Sequence, residues 1–142
     1  MSRKIPDRLA KLIRERANYR CEYCGASEWL SGQLCQIDHI IARARGGATV
    51  ANNLCLACAV CNGSKLDRIE GEDPQSGEMV ALFNPRTQQW QDHFAWSVDG
   101  TRIEGQTACG RATIILLKLN RPLSVAVRAH WVSIKRHPPQ AM

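Results

Sequence analysis

The stretch CQIDHIIARARGGATVANNLCLACAVCNGSK, residues 35–65, crowds an Asp-His pair, a Gly-Gly, an Asn-Asn-Leu and a C-x-x-C followed at once by Asn into 31 residues. CQIDHI alternates enough to be a strand that ends near Asp38 and His39. ARARGGATVANN is loop-like, with Gly46-Gly47 as the breaker. LCLACAVCNGSKLDRIEG opens as a second short strand and turns into a helix expected to run through Leu66 and Ile69 to an end at Gly71. The expected order is therefore strand, loop, strand, helix.

Working outward, the chain has a second C-x-x-C at Cys21 and Cys24, separated by 33 residues from Cys58 and Cys61. One such pair is as readily a redox pair, but two C-x-x-C turns can set four thiolates on the corners of a tetrahedron, the geometry of a closed structural zinc site. With every corner filled by sulfur, that metal would hold the fold and leave no position for water. Cys35, Cys55 and Cys109 sit in or beside apolar runs and read as buried, unreactive thiols.

Asp38 and His39 are adjacent on a strand, so they serve one site only if the strand is ending and the chain turning there. Asn62 follows Cys61 directly, near the helix start, and Asn53 lies in the loop between the strands. Asp38 and Asn62 together make an oxygen-rich donor set suited to a hard divalent cation such as magnesium.

On these residues the segment resembles the HNH endonuclease family, whose ββα-metal motif runs C-x-x-C, D-H, G-G, N-L, C-x-x-C and a final His or Asn. His39 falls on the first position, Asn53 on the second and Asn62 on the last, an H-N-N variant. The resemblance implies His39 as general base, Asp38 and Asn62 as ligands of one Mg2+ or Mn2+, and Asn53 as the residue that ties the loop and holds His39 in orientation. It implies structural Zn2+ on the four cysteines, and products with a 5′ phosphate and a 3′ hydroxyl. Many family members carry Pro after D-H-I where this chain has Ala42, a change in loop stiffness that removes no ligand.

The implied partner is DNA, expected to be double-stranded. Lys65, three residues after Asn62, should share its helix face and touch phosphate, as should Arg43 and Arg45 on the loop. Charge agrees with a polyanionic partner. The net charge is +6, and residues 1–20 hold seven Lys/Arg against two acids; residues 118–142 hold five against none.

The 142-residue length allows one domain, with 44% hydrophobic and 23% charged residues, ordinary for a globular chain. No apolar run approaches the roughly 20 residues a bilayer requires. The basic N-terminus lacks the apolar block of an export signal, so a cytoplasmic protein without membrane association is expected. PDRLAKLIRERANYR reads as an amphipathic helix with Leu9, Leu12, Ile13 and Ala17 inward and Arg8, Lys11 and Arg14 outward.

From Glu72 the character changes to a turn cluster, a strand in MVALFNP, an Asp99-Gly100 hairpin, and two helices broken at Asn120-Arg121-Pro122. Trp90, His93 and Trp96 read as packing residues, and the tail from Pro138 as frayed. The fold expected is α+β: a ββα-metal core with zinc knuckles and N-terminal helix over residues 1–71, and a C-terminal extension over 72–142 packed on it. Two other readings keep the same residues: a non-catalytic, zinc-stabilised nucleic-acid-binding module, and a nuclease acting on RNA.

Overall fold

In the computed structural model, which describes residues 5–140, Asp7–Arg16 form the N-terminal helix, α1. Ile13 is fully buried with Leu9 and Ala17 packed beside it, whereas Leu12 is 48% exposed. Arg14 turns inward, against expectation. It pairs with Glu28 and donates from Nη2 to the Cys35 carbonyl at 3.0 Å, because Glu28 arrives there on a short helix, α2 (Glu28–Ser31), that local sequence did not announce. Ser27 caps α2, its Oγ accepting from Trp29 N and Leu30 N.

Strands β1 (Gln36–His39) and β2 (Leu54–Ala57) pair antiparallel, with His39 opposite Leu54 and Asp38 opposite Cys55. All four β2 residues are buried. Its outer edge is closed as well: Glu22 N donates to Leu56 O, Glu22 Oε2 accepts from Leu56 N, and Arg16 Nη2 donates to Leu54 O at 2.8 Å. Helix α3 (Ala59–Lys65) follows at once, completing the ββα order.

α3 stops earlier than its sequence suggests. Leu66 takes φ 54° and is 62% exposed, so the chain leaves the helix there rather than at Gly71. Gly71 instead lies inside a strand, β3 (Glu70–Glu72), paired with β4 (Met79–Ala81). A Cβ on Gly71 would sit 3.1 Å from Leu82 Cδ2 and 3.7 Å from Ala112, so the missing side chain serves close packing and not helix termination. The boundary expected at residue 71 thus falls inside a hairpin.

The extension continues with α4 (Trp90–His93), the hairpin β5 (Phe94–Trp96) and β6 (Ile103–Gly105), then α5 (Ala108–Leu117) and α6 (Pro122–Ser133). α5 packs on α3, on the β3–β4 hairpin and on β6, which joins the extension to the ββα unit. The core is continuous across both parts, with Ile13, Tyr23, Leu54 and Leu56 meeting Phe83, Phe94, Ile103 and Leu117. Trp90 is 6% exposed and its ring lies 5.3 Å from that of Trp96; His93 Nδ1 bonds Thr107 Oγ1 at 2.7 Å. These three residues pack, as the sequence suggested.

His137 is buried, its ring 4.4 Å from that of Trp96, although Ile134, Lys135 and Arg136 before it are exposed. The ends of both basic termini, residues 1–4 and 141–142, lie outside the described residues. Among the described residues no helix is long and apolar enough to cross a membrane.

Candidate metal centre and nuclease site

The two C-x-x-C turns fold alike. Cys24 N donates to Cys21 Sγ at 3.4 Å, and Cys61 N donates to Cys58 Sγ at 3.5 Å, each turn aiming its pair of sulfurs the same way. Gly25, at φ 78°, closes the first turn; the second is the first turn of α3, with Cys58 as its cap. The four Sγ atoms all lie within 4.8 Å of one another, and Cys24 Sγ stands 3.7 Å from Cys58 Sγ. A tetrahedron with zinc–sulfur bonds of about 2.3 Å has edges of about 3.8 Å, so the donor set fits a zinc ion as it stands.

Cys21, Cys24 and Cys61 are buried and Cys58 partly so. Hydrogen bonds from the neighbouring thiols hold Cys58 well below the usual thiol range, while burial pushes Cys21 well above it. The extension supplies a positive charge to the cluster: Arg121 Nη2 lies 3.6 Å from Cys58 Sγ. Sequence gave no hint of this contact, which spans 63 positions. Cys35 and Cys55 are buried as expected; Cys109 is half-buried.

One face of β1 meets one face of α3. Asn62 Nδ2 bonds Gln36 Oε1 at 2.6 Å, and one turn on, Lys65 Nζ stands 3.5 Å from Asp38 Oδ2. The two-residue repeat of the strand therefore matches the three-residue step of the helix, bringing Asp38 and Asn62 to one seam. Lys65 is 2% exposed and also donates to Ile40 O at 2.9 Å. The expected phosphate contact by Lys65 is thus replaced by an internal one, because the helix face it shares with Asn62 is the one turned to β1.

Asp38 is 9% exposed, and its Oδ2 is buried without a hydrogen bond, 3.5 Å from the lysine ammonium. Burial raises its pKa above the usual carboxylate value, an effect that Lys65 and His39 oppose. A buried carboxylate oxygen lacking a donor is a position a cation satisfies, and the Asn62–Gln36 bond uses the amide's donor end, leaving its oxygen. That Asp38 oxygen already faces the Lys65 ammonium, so a divalent ion held by Asp38 and Asn62 would share the carboxylate with Lys65.

His39 Nε2 lies 2.9 Å from Thr49 Oγ1. Partial burial lowers the His39 pKa and Arg43 adds to the lowering, while Asp38 opposes it; the balance favours the neutral ring. Thr49, which fixes the ring, was not singled out by sequence; ten positions of loop separate the two, and no local pattern marks the contact.

Asn53 ties the loop as anticipated. Its Oδ1 accepts from Ile41 N at 2.9 Å, and its Nδ2 donates to Ile41 O at 3.0 Å and Ala48 O at 2.9 Å. These bonds reach the loop and not the His39 ring. Gly47 completes the knot: a Cβ there would lie 1.7 Å from Ile41 O. Arg43 is exposed beside His39, while Arg45 Nε donates to Asp67 O at 2.7 Å, pinning the loop to the residue after Leu66.

No curated protein and no solved structure matches the chain. Residues 21–68 match the family model described as HNH endonuclease, from the first zinc-type cysteine to just past the end of α3. The cysteine knuckles, the ββα order and the Asp38-His39 strand end all lie inside that span, and in these features this part of the chain is similar to an HNH endonuclease domain.

Proposed function

We propose that this protein is a metal-dependent endonuclease that hydrolyses phosphodiester bonds of double-stranded DNA, with His39 as general base, Asp38 and Asn62 as ligands of Mg2+ or Mn2+, and Zn2+ on the four cysteines. The observation that carries the reading is the end of β1: a buried carboxylate oxygen without a donor next to a neutral, oriented imidazole.

In the tautomer in which Nε2–H donates to Thr49 Oγ1, His39 keeps its Nδ1 lone pair free. That nitrogen takes the proton of a water as its oxygen bonds to phosphorus and the 3′ oxygen leaves. A bound divalent ion supplies positive charge for the phosphate oxygens and the departing oxygen. Asn53 acts by positioning: it fixes the loop that carries Thr49 on its other side. Arg43, exposed beside His39, contacts a phosphate of the substrate. The zinc cluster fixes the start of α3, and with it Asn62.

The test is incubation with supercoiled plasmid over several divalent metals. Wild type is expected to nick or cut, chelator to stop it, and His39→Ala to abolish it while zinc content and circular dichroism stay unchanged. Cleavage by the purified variant sinks the assignment. RNA run alongside separates the substrates.

The non-catalytic module has one observation in its favour, the Lys65 ammonium already beside Asp38. It requires nucleic-acid binding without metal-dependent cleavage, which the same plasmid experiment reads.

A further inference from the structure

On the far edge of β2 from His39 a cleft of about 370 Å³ opens between the end of α1 and residues 85–90. Three guanidinium groups line it. Arg16 Nη2 is held by Leu54 O at 2.8 Å, Arg20 Nη1 by Gly25 O at 3.1 Å, and Arg86 Nη2 by the Glu22 carboxylate.

The three cations face a single acid. Glu22 is already committed to the fold through Leu56 N at 2.8 Å. Two further nitrogens of Arg86, Nε and Nη1, are buried without a partner. Burial lowers the pKa of both Arg16 and Arg20, and a second arginine adds to each shift, Arg86 to the first and Arg136 to the second. Like charges pressed together with surplus donors are the signature of a site completed by an anion. Neutral amides at Asn18 and Gln89 border the cleft, and Trp90 forms part of its wall with its indole N–H spent on Tyr23 O.

We propose that this cleft binds a phosphate group of the nucleic-acid backbone, with Arg16, Arg20 and Arg86 as its cations. Arginine's planar fork matches phosphate oxygens in pairs. Arg16 is anchored on Leu54, the residue facing His39 across the ladder, so the cleft sits one strand spacing, about 4.8 Å, plus a side-chain length from the His39 backbone. That places it within reach of a strand held at His39. The proposal deepens the nuclease reading and rests on it for the owner of the phosphate; its test reads binding, so absence of cleavage would count against the nuclease and leave this result standing.

Arg16→Gln/Arg20→Gln is the test variant, with Arg86 kept because its loss would strand Glu22. The control is Arg8→Gln/Lys11→Gln, which removes two exposed charges from α1 outside the cleft. Binding of a labelled 20-base-pair duplex is measured by anisotropy from about 50 to 200 mM salt without added divalent metal. Circular dichroism and zinc content confirm the fold.

The cleft variant is expected to lose roughly tenfold or more in affinity and to flatten the plot of log K against log salt by about 1 to 2. The control should move the slope far less. An unchanged slope in the cleft variant, or an equal change in the control, overturns the proposal. Calorimetry with inorganic phosphate separates the sources: phosphate binding lost in the variant while duplex affinity is retained would overturn the nucleic-acid assignment.

Discussion

At the scale of single residues, the proposed reaction gives His39 the proton and Asn53 the loop that faces it. Lowering of the His39 pKa below 6.5 leaves the imidazole neutral across the neutral range, so the cleavage rate should rise with pH through a value below 6.5 and then level off. A profile still climbing between pH 7 and 8 would show another group in the role. Asn53→Ala removes three loop bonds, each worth about 1 kcal/mol, and should cost about 2–3 kcal/mol in urea denaturation. Its activity should fall even though His39 is intact. The motif spacing pointed to both residues, and the loop bonds of Asn53 are those it led one to expect. Thr49 and the inward turn of Lys65 were not, because which face of α3 meets β1 is decided by packing with the opposite strand and not by the three-residue step alone.

Among the elements, α3 is the most dependent on its surroundings. Seven residues are too few for a helix to stand alone, and Cys58 and Cys61 sit in its first turn. Removing the metal should therefore unfold the ββα unit, lowering the melting temperature by about 10 °C or more, with recovery on adding zinc back. Arg121 is the contribution of α6 to the same cluster: as its cap residue it brings a positive charge to Cys58. Arg121→Ala should weaken zinc retention by about tenfold, read with a chromogenic chelator. The strand–loop–strand–helix order was plain in residues 35–65. The early end of α3 was missed because Gly71, a normal helix terminator in sequence, is needed instead for the approach of Leu82 and Ala112.

For the molecule as a whole, the extension closes on the ββα unit, and His137 near its end is expected to make that closure acid-sensitive. His137 is 5% exposed, both ring nitrogens lack partners, and Trp96 and Trp131 enclose it. Burial, then Arg128 and Arg20, outweighs an opposing interaction with the Gly100 backbone and brings its pKa down to about 4, against about 6.5 in an unfolded chain. Between those values the unfolded chain binds a proton that the folded one does not, so stability should fall as pH drops from 6.5 towards 4. Tryptophan fluorescence should report the change, and His137→Phe should flatten it. An unaltered pH dependence in that variant would show that other groups cause the loss.

β2 gives the molecule a further property. With β1 on one side and the side chains and backbone of Arg16 and Glu22 on the other, it offers no open row of amides and carbonyls. Its four apolar residues, which in a bare edge strand would template intermolecular pairing, are sequestered as long as α1 stays docked. The first helix thus shares with Glu22 the task of guarding this strand, and a shortened chain that begins after it, lacking the Arg16 bond to Leu54, is expected to aggregate more readily than the full chain.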